Sequence, residues 1–136
     1  MSDLLSIKCY KVLQTRSYTV VTLGNNDKKF AIYTEPAIGK TMQMHLTETE
    51  NPRPLTHDLM NMAFSGFGIK IKKVIINDVQ DTVYFARIFF EQQIGDKKEI
   101  VEIDARPSDC LTLALIKDVP VFCTKEVMEK AVAVSE

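Results

Sequence analysis

The 136-residue sequence has no tryptophan, only five glycines and five prolines, and no excess charge of either sign, with 17 Lys plus Arg against 18 Asp plus Glu. Glycine and proline at this level exclude a collagen-like or low-complexity chain, and no internal repeat is visible. The charge balance excludes a grip on polyanions through overall charge, so nucleic acid would have to be held by a local patch. The three cysteines, Cys9, Cys110 and Cys123, form no CxxC pair, which argues against zinc or dithiol chemistry and for reduced, buried thiols. No run of about 18 apolar residues occurs, and the opening MSDLLSIKCYK lacks the basic region, apolar stretch and small-residue cleavage site of a signal peptide. The expectation is a cytoplasmic protein without a membrane segment.

What the chain does have is a hydrophobic content of 46%, enough for one compact domain over residues 1–136. β-Branched and aromatic residues predict a strand near Ser6 to Val12 and a hairpin of Tyr18 to Leu23 with Phe30 to Thr34, turned by Gly24, Asn25, Asn26 and Asp27. After Pro36, the spacing of Ile38, Met42, Met44 and Leu46 fits a helix better than a strand, against the low helix propensity of Gly39. A second helix is predicted from Thr56, read as its N-cap, with Leu59, Met60, Ala63, Phe64 and Phe67 as an apolar stripe toward the core and Gly66 or Gly68 as its stop.

Residues 69–104 read as three antiparallel strands turned at NDVQD and IGDKK, and the middle one is apolar on both sides. Ser108 is then placed to cap a helix from Asp109 to about Lys117, followed by a short strand in VPVFCT and a closing helix in KEVMEKAV. The order, roughly βββ-α-α-βββ-α-β-α, is that of an α+β fold of mostly antiparallel strands with helices inserted between hairpins.

Two multi-residue motifs, RPLTHDLMNM at 53–62 and IDARPSDCLTLAL at 103–115, followed by PVFCT at 120–124, give the chain its resemblance to the bifunctional nuclease domain family. The resemblance extends from about Arg53 to Val132. It implies a compact α+β domain, a homodimer, and DNase or RNase activity as reported for some members. Where the family carries an acidic and a small residue in a GPxEAxAI segment, this chain reads TEPAIGKTM, with Ile38 and Gly39 in their place and Glu35 nearby but out of register.

Hydrolysis of a phosphodiester needs an activated water, charge relief on the phosphoryl oxygens and help for the leaving oxygen. Asp58, Asp104 and Asp109 are candidate ligands for Mg²⁺ or Mn²⁺, His57 the candidate proton-transfer residue, and Arg53 and Arg106, with Ser108, candidate phosphate contacts. Helix starts at Thr56 and Ser108 would add partial positive charge. The same letters also serve structure: Pro107 and Ser108 suit a helix start, Asp58 and Asp109 suit first turns, and Arg106 can pair with Asp104 or Asp109. A non-catalytic dimeric module that binds a protein partner or small anion through these Arg/Asp-rich helix starts is therefore the competing reading. Lys70, Lys72 and Lys73 read as a solvated or edge-guarding face, Met42, Met44, Met60 and Met62 as core or subunit contacts, His45 as a surface or packing residue, and Cys110 as a small buried hydrophobe.

Overall fold

The structure, a computed structural model, describes residues 3–135. Its elements are β1 (Leu4–Gln14), β2 (Thr19–Gly24), β3 (Lys29–Thr34), α1 (Pro36–Leu46), α2 (Thr56–Gly66), β4 (Ile69–Gln80), β5 (Val83–Ile94), β6 (Lys97–Ala105), α3 (Pro107–Lys117), β7 (Val121–Thr124) and α4 (Lys125–Lys130). This is the α+β order expected from the sequence. No helix among the described residues is long and apolar enough to cross a membrane.

The strands form one seven-stranded sheet in the order β3-β2-β1-β7-β4-β5-β6. All neighbours are antiparallel except β4 and β7, which run parallel through Val74–Ile76 and Val121–Cys123. β1 is longer than predicted because it serves two partners. Its first residues, Leu4 to Ile7, pair with β7, and its later ones, Lys8 to Gln14, pair with β2 across an irregularity at Cys9/Lys11. The sheet bends there. Five strand spacings separate β3 from β5 in the order, roughly 24 Å in a flat sheet, yet the Phe30 ring of β3 stacks on Tyr84 of β5 with centroids 5.3 Å apart. The sheet must therefore curl until its first strand lies over its sixth, and one apolar core fills the interior: Val21, Leu23, Phe30, Val74, Ile76 and Ala86 from the strands, Met42 from α1, and Cys110, Leu111 and Leu113 from α3.

Two sequence expectations are corrected, and that of a helix through Gly39 holds. β4 continues through Asn77, Asp78 and Val79 to Gln80, so the reversal falls at Asp81–Thr82, where Asp81 takes a positive φ of 58° that a short polar side chain tolerates. Of the inner stripe assigned to α2, Phe64 packs against the core, but Leu59, Met60, Ala63 and Phe67 are exposed, as is Met62, whereas His57 and Asn61 are buried. The stripe was drawn through the apolar letters, but the side of α2 that packs inward runs His57, Asn61, Phe64. Gly39 does not break α1: its Cβ position lies 2.0 Å from Thr19 Oγ1, so only glycine lets the helix approach β2 this closely.

Candidate active site

β6 ends and α3 begins in the stretch DARPSD. Ala105 closes the strand, Arg106 keeps an extended backbone at φ −63° and ψ 141°, and Pro107 takes the first helical position, where its fixed φ suits the helix and its missing N–H loses nothing. Arg106, not Ser108, is thus the N-cap residue. Ser108 lies buried inside the first turn, and its carbonyl accepts a hydrogen bond from Thr112 Oγ1 at 2.7 Å. It does not face an open site. α2 departs from expectation in the same way: Leu55 is the N-cap residue, Thr56 is the first helical residue, and Asp58 accepts the Leu55 backbone N–H at 2.9 Å.

The two helix starts meet. His57 Nε2 lies 3.0 Å from Asp109 Oδ1, across 52 residues of sequence. On the same carboxylate, Arg106 donates from Nε to Oδ2 at 2.9 Å and from Nη2 to Oδ1 at 3.4 Å, and its Nη1 donates to Glu35 Oε2 at 3.2 Å. Burial pushes the Asp109 carboxyl up, but the hydrogen bonds from Arg106 and His57 together outweigh it and hold the group below its ordinary range. Asp109 is therefore an anion at neutral pH, which also suits the first turn of a helix. The Asp109 and Glu35 carboxylates in turn raise the Arg106 guanidinium further. The guanidinium is a single, permanently charged cation with five N–H donors; three are engaged, and the remaining two sit on a side chain that is 58% exposed. Burial, with Asp109 and Asp104 nearby, pushes the Cys110 thiol up to about 12, so it is no nucleophile at neutral pH.

His57 is itself 7% exposed and lines a groove of about 510 Å³ that runs from the His57–Asp109 pair between α2, α3, β5 and β6. With Asp109 ionised, Nε2 is assigned as the donor, which leaves Nδ1 with its lone pair free to take a proton. An aspartate that fixes one ring nitrogen of a histidine leaves the other for proton transfer, an arrangement that hydrolytic triads use with the two nitrogens exchanged.

Of the residues singled out in the sequence, His57, Arg106 and Asp109 come together here. The others go elsewhere. Asp58 caps its own helix and lies 3.3 Å from His45 Nε2, which gives His45 a partner that sequence reasoning did not supply. Asp104 is exposed, 3.9 Å from Arg87 Nη1, and Arg87 is held more closely by Glu102 at 2.7 Å. Arg53 is exposed in the lead-in to α2. The donor set does not fit the three-aspartate Mg²⁺ or Mn²⁺ site anticipated from the sequence, because both oxygens of Asp109 are engaged by Arg106 and His57 while Asp58 and Asp104 serve separate partners. Among the described residues, no group of three His, Cys, Asp or Glu side chains is arranged to hold a metal ion.

Glu35 is the site residue that spacing could not place. Its signal was the acidic residue the family carries in this segment. Although out of register, Glu35 reaches Arg106 because it immediately precedes α1 and its carbonyl is held by Thr19 Oγ1 at 3.2 Å.

Comparison with known proteins bears on the same residues. The profile described as Bifunctional nuclease domain matches residues 20–136. An uncharacterized protein of Mycobacterium tuberculosis is 29% identical over 123 residues, covering 89% of this chain and 71% of the relative. Bifunctional nuclease 2 of Arabidopsis thaliana is 26% identical over 80 residues, 59% of this chain but 24% of the plant protein. Bifunctional nuclease 1 of Oryza sativa subsp. japonica is 24% identical over 76 residues, 56% of this chain and 23% of that protein.

Proposed function

This chain belongs to the bifunctional nuclease domain family, and from that premise we propose that it hydrolyses phosphodiester bonds of DNA or RNA with low sequence specificity at the junction of α2 and α3. One observation carries the reading: a single carboxylate, Asp109, orients both the histidine that can move a proton and the arginine that can hold a phosphate. In the proposed step His57 Nδ1 takes a proton from a water as its oxygen attacks phosphorus, the bond from phosphorus to the leaving sugar oxygen breaks, and that oxygen takes a proton from solvent to leave as the alcohol. Arg106 offers its two unused N–H donors to the non-bridging oxygens, in the fork geometry that suits phosphate. Glu35 holds the guanidinium from the other side, so that phosphate meets it already oriented.

The test is cleavage of single-stranded DNA and RNA by purified protein with Mg²⁺, Mn²⁺ or EDTA, beside His57→Ala and Asp109→Asn prepared identically. His57→Ala is expected to lower the rate about 10²- to 10⁴-fold, the usual range for a general base, with the fold intact by circular dichroism. Equal cutting by the variants, or none by any preparation, overturns the reading.

A second reading is favoured by a different observation. β6 is a sheet edge with exposed apolar side chains on both faces, Ile100 at 64% and Val101 at 47% exposure, which suits a module that associates with a second copy of itself or another protein. A partner on this edge would border the groove, since Val101 and Ile103 of the same strand line it beside His57 and Asp109.

A further inference from the structure

We infer that the groove beside His57 receives one unstacked nucleobase, with preference for bases that carry an exocyclic amino group; the inference rests on the nuclease reading and names its substrate more closely. The groove and the cluster are continuous, because His57 and Asp109 line both. A phosphate held by Arg106 at the mouth leaves its nucleoside at the entrance of a concavity whose volume, about 510 Å³, lies in the range of small-molecule sites. The walls are apolar. Phe64 and Phe90 meet edge to face with centroids 5.0 Å apart, and Val101 and Ile103 of β6 form part of the side toward solvent. Such walls take up the faces of a flat, weakly polar ring.

The far end selects against phosphate and for donors. Glu91, Gln92 and Glu99 line it. Glu91 shares its side of the sheet with its cross-strand neighbour Ile100 and is paired there with Lys72 and Lys98, at 3.9 and 3.8 Å, so its carboxylate stands outside the groove, whereas Gln92 Nε2 donates to the Phe67 carbonyl at 2.8 Å and leaves the amide oxygen available. Glu99 is exposed and enters no ion pair among the described residues. The groove therefore ends in the Gln92 amide oxygen and the Glu99 carboxylate, two hydrogen-bond acceptors of which one is charged. A second phosphate is repelled there, whereas the amino group of cytosine or adenine is complementary, as carboxylates are to cytosine N4. A base stacked in a duplex cannot enter, so the substrate is single-stranded or has its base swung out.

The experiment measures binding apart from cleavage. Ligand-observed NMR titrations compare CMP, AMP, UMP and ribose 5-phosphate on the unchanged protein and on Val101→Glu and Glu99→Gln, both at exposed positions of an edge strand. CMP and AMP are expected to bind about tenfold or more tightly than ribose 5-phosphate. Val101→Glu should remove that gain without changing ribose 5-phosphate, and Glu99→Gln should narrow the difference between CMP and UMP. Equal binding of CMP and ribose 5-phosphate overturns the inference. So does a Val101→Glu variant that splits a dimer while binding CMP as before, since the groove wall would then belong to a second copy. Base-dependent binding without any nucleic-acid cleavage would uphold the base site and remove the catalytic reading, whereas cleavage with no base dependence would do the reverse.

Discussion

Arg106 makes three hydrogen bonds at once, to both oxygens of Asp109 and to Glu35, and still has donors to spare. A lysine has one ammonium and no fork, so Arg106→Lys keeps the charge but not the geometry. Under the nuclease reading it should lower kcat/KM about tenfold or more while leaving the melting temperature nearly unchanged, because the side chain is mostly exposed; unchanged kinetics would dissociate Arg106 from the phosphate. Asp109 makes a prediction in pH. Its folded pKa is lower than its ordinary value of 3.8. The stabilisation it contributes is thus fully present above that value and is lost as pH falls through the lower folded pKa. Urea midpoints of the unchanged protein and Asp109→Asn should therefore differ at neutral pH and converge as pH drops below about 4. A constant difference down to the acid limit would mean that the contacts of Asp109 do not depend on its charge. His57, Arg106 and Asp109 were legible in the sequence because they stand in two dense motifs. Their mutual geometry was not, since no local rule brings residue 57 to residue 109.

Among the elements, α1 owes its position to a contact that no helix propensity describes. Thr19 of β2 is fully buried, fills the space where a Cβ on residue 39 would stand, and hydrogen-bonds the Glu35 carbonyl. Gly39→Ala should raise intrinsic helix propensity and nonetheless destabilise the protein, by about 1–3 kcal/mol as overpacking does, and should weaken the Glu35–Arg106 contact as α1 is pushed out. Chemical denaturation of Gly39→Ala beside Gly39→Ala/Thr19→Ser decides it. Partial recovery in the double variant identifies the clash, and a stabilised single variant refutes it. The elements themselves were readable from periodicity and turn residues. α2 was read correctly as a helix and wrongly as to its inner side, because hydrophobic patterning assumes that apolar letters face inward. Here the inward side carries His57 and Asn61, and the apolar remainder, Leu59, Met62 and Phe67, faces out. A helix inverted in this way departs from the rule where the candidate site lies. Cap positions failed for a related reason: Thr56 and Ser108 have the chemistry of caps, but the Asp58 contact to the Leu55 N–H moves the start of α2 one residue earlier, and Pro107 at the first helical position moves that of α3 two residues earlier.

At the scale of the molecule, the curl of the sheet and its open edge were beyond the sequence, since both depend on which strands become neighbours. β6 pairs only with β5, and the next strand position is empty of hydrogen-bonding partners in the strand order. An edge of this length with apolar residues on both faces is usually covered or charged. Under the self-association reading, sedimentation at tens of micromolar should show the unchanged chain at twice the monomer mass and Ile100→Lys at the monomer mass. Ile100 points away from the groove face that Val101 and Ile103 share, so this variant leaves the proposed base site open. A monomeric unchanged chain would end that reading.

β7 is four residues long, yet it is the one strand between β1 and β4. Before it is in place, β1 to β3 and β4 to β6 are two separate antiparallel meanders, each closed by short local turns and each with an unsatisfied inner border. On the ribosome both can form early, since their pairings are local, but the seam between them cannot close until residues 121–124 have emerged. Between the completion of β6 and the emergence of β7 the nascent chain thus holds two half-sheets, which makes this short strand the natural point of intervention for a chaperone, or for a substitution that lowers only the yield of folded protein.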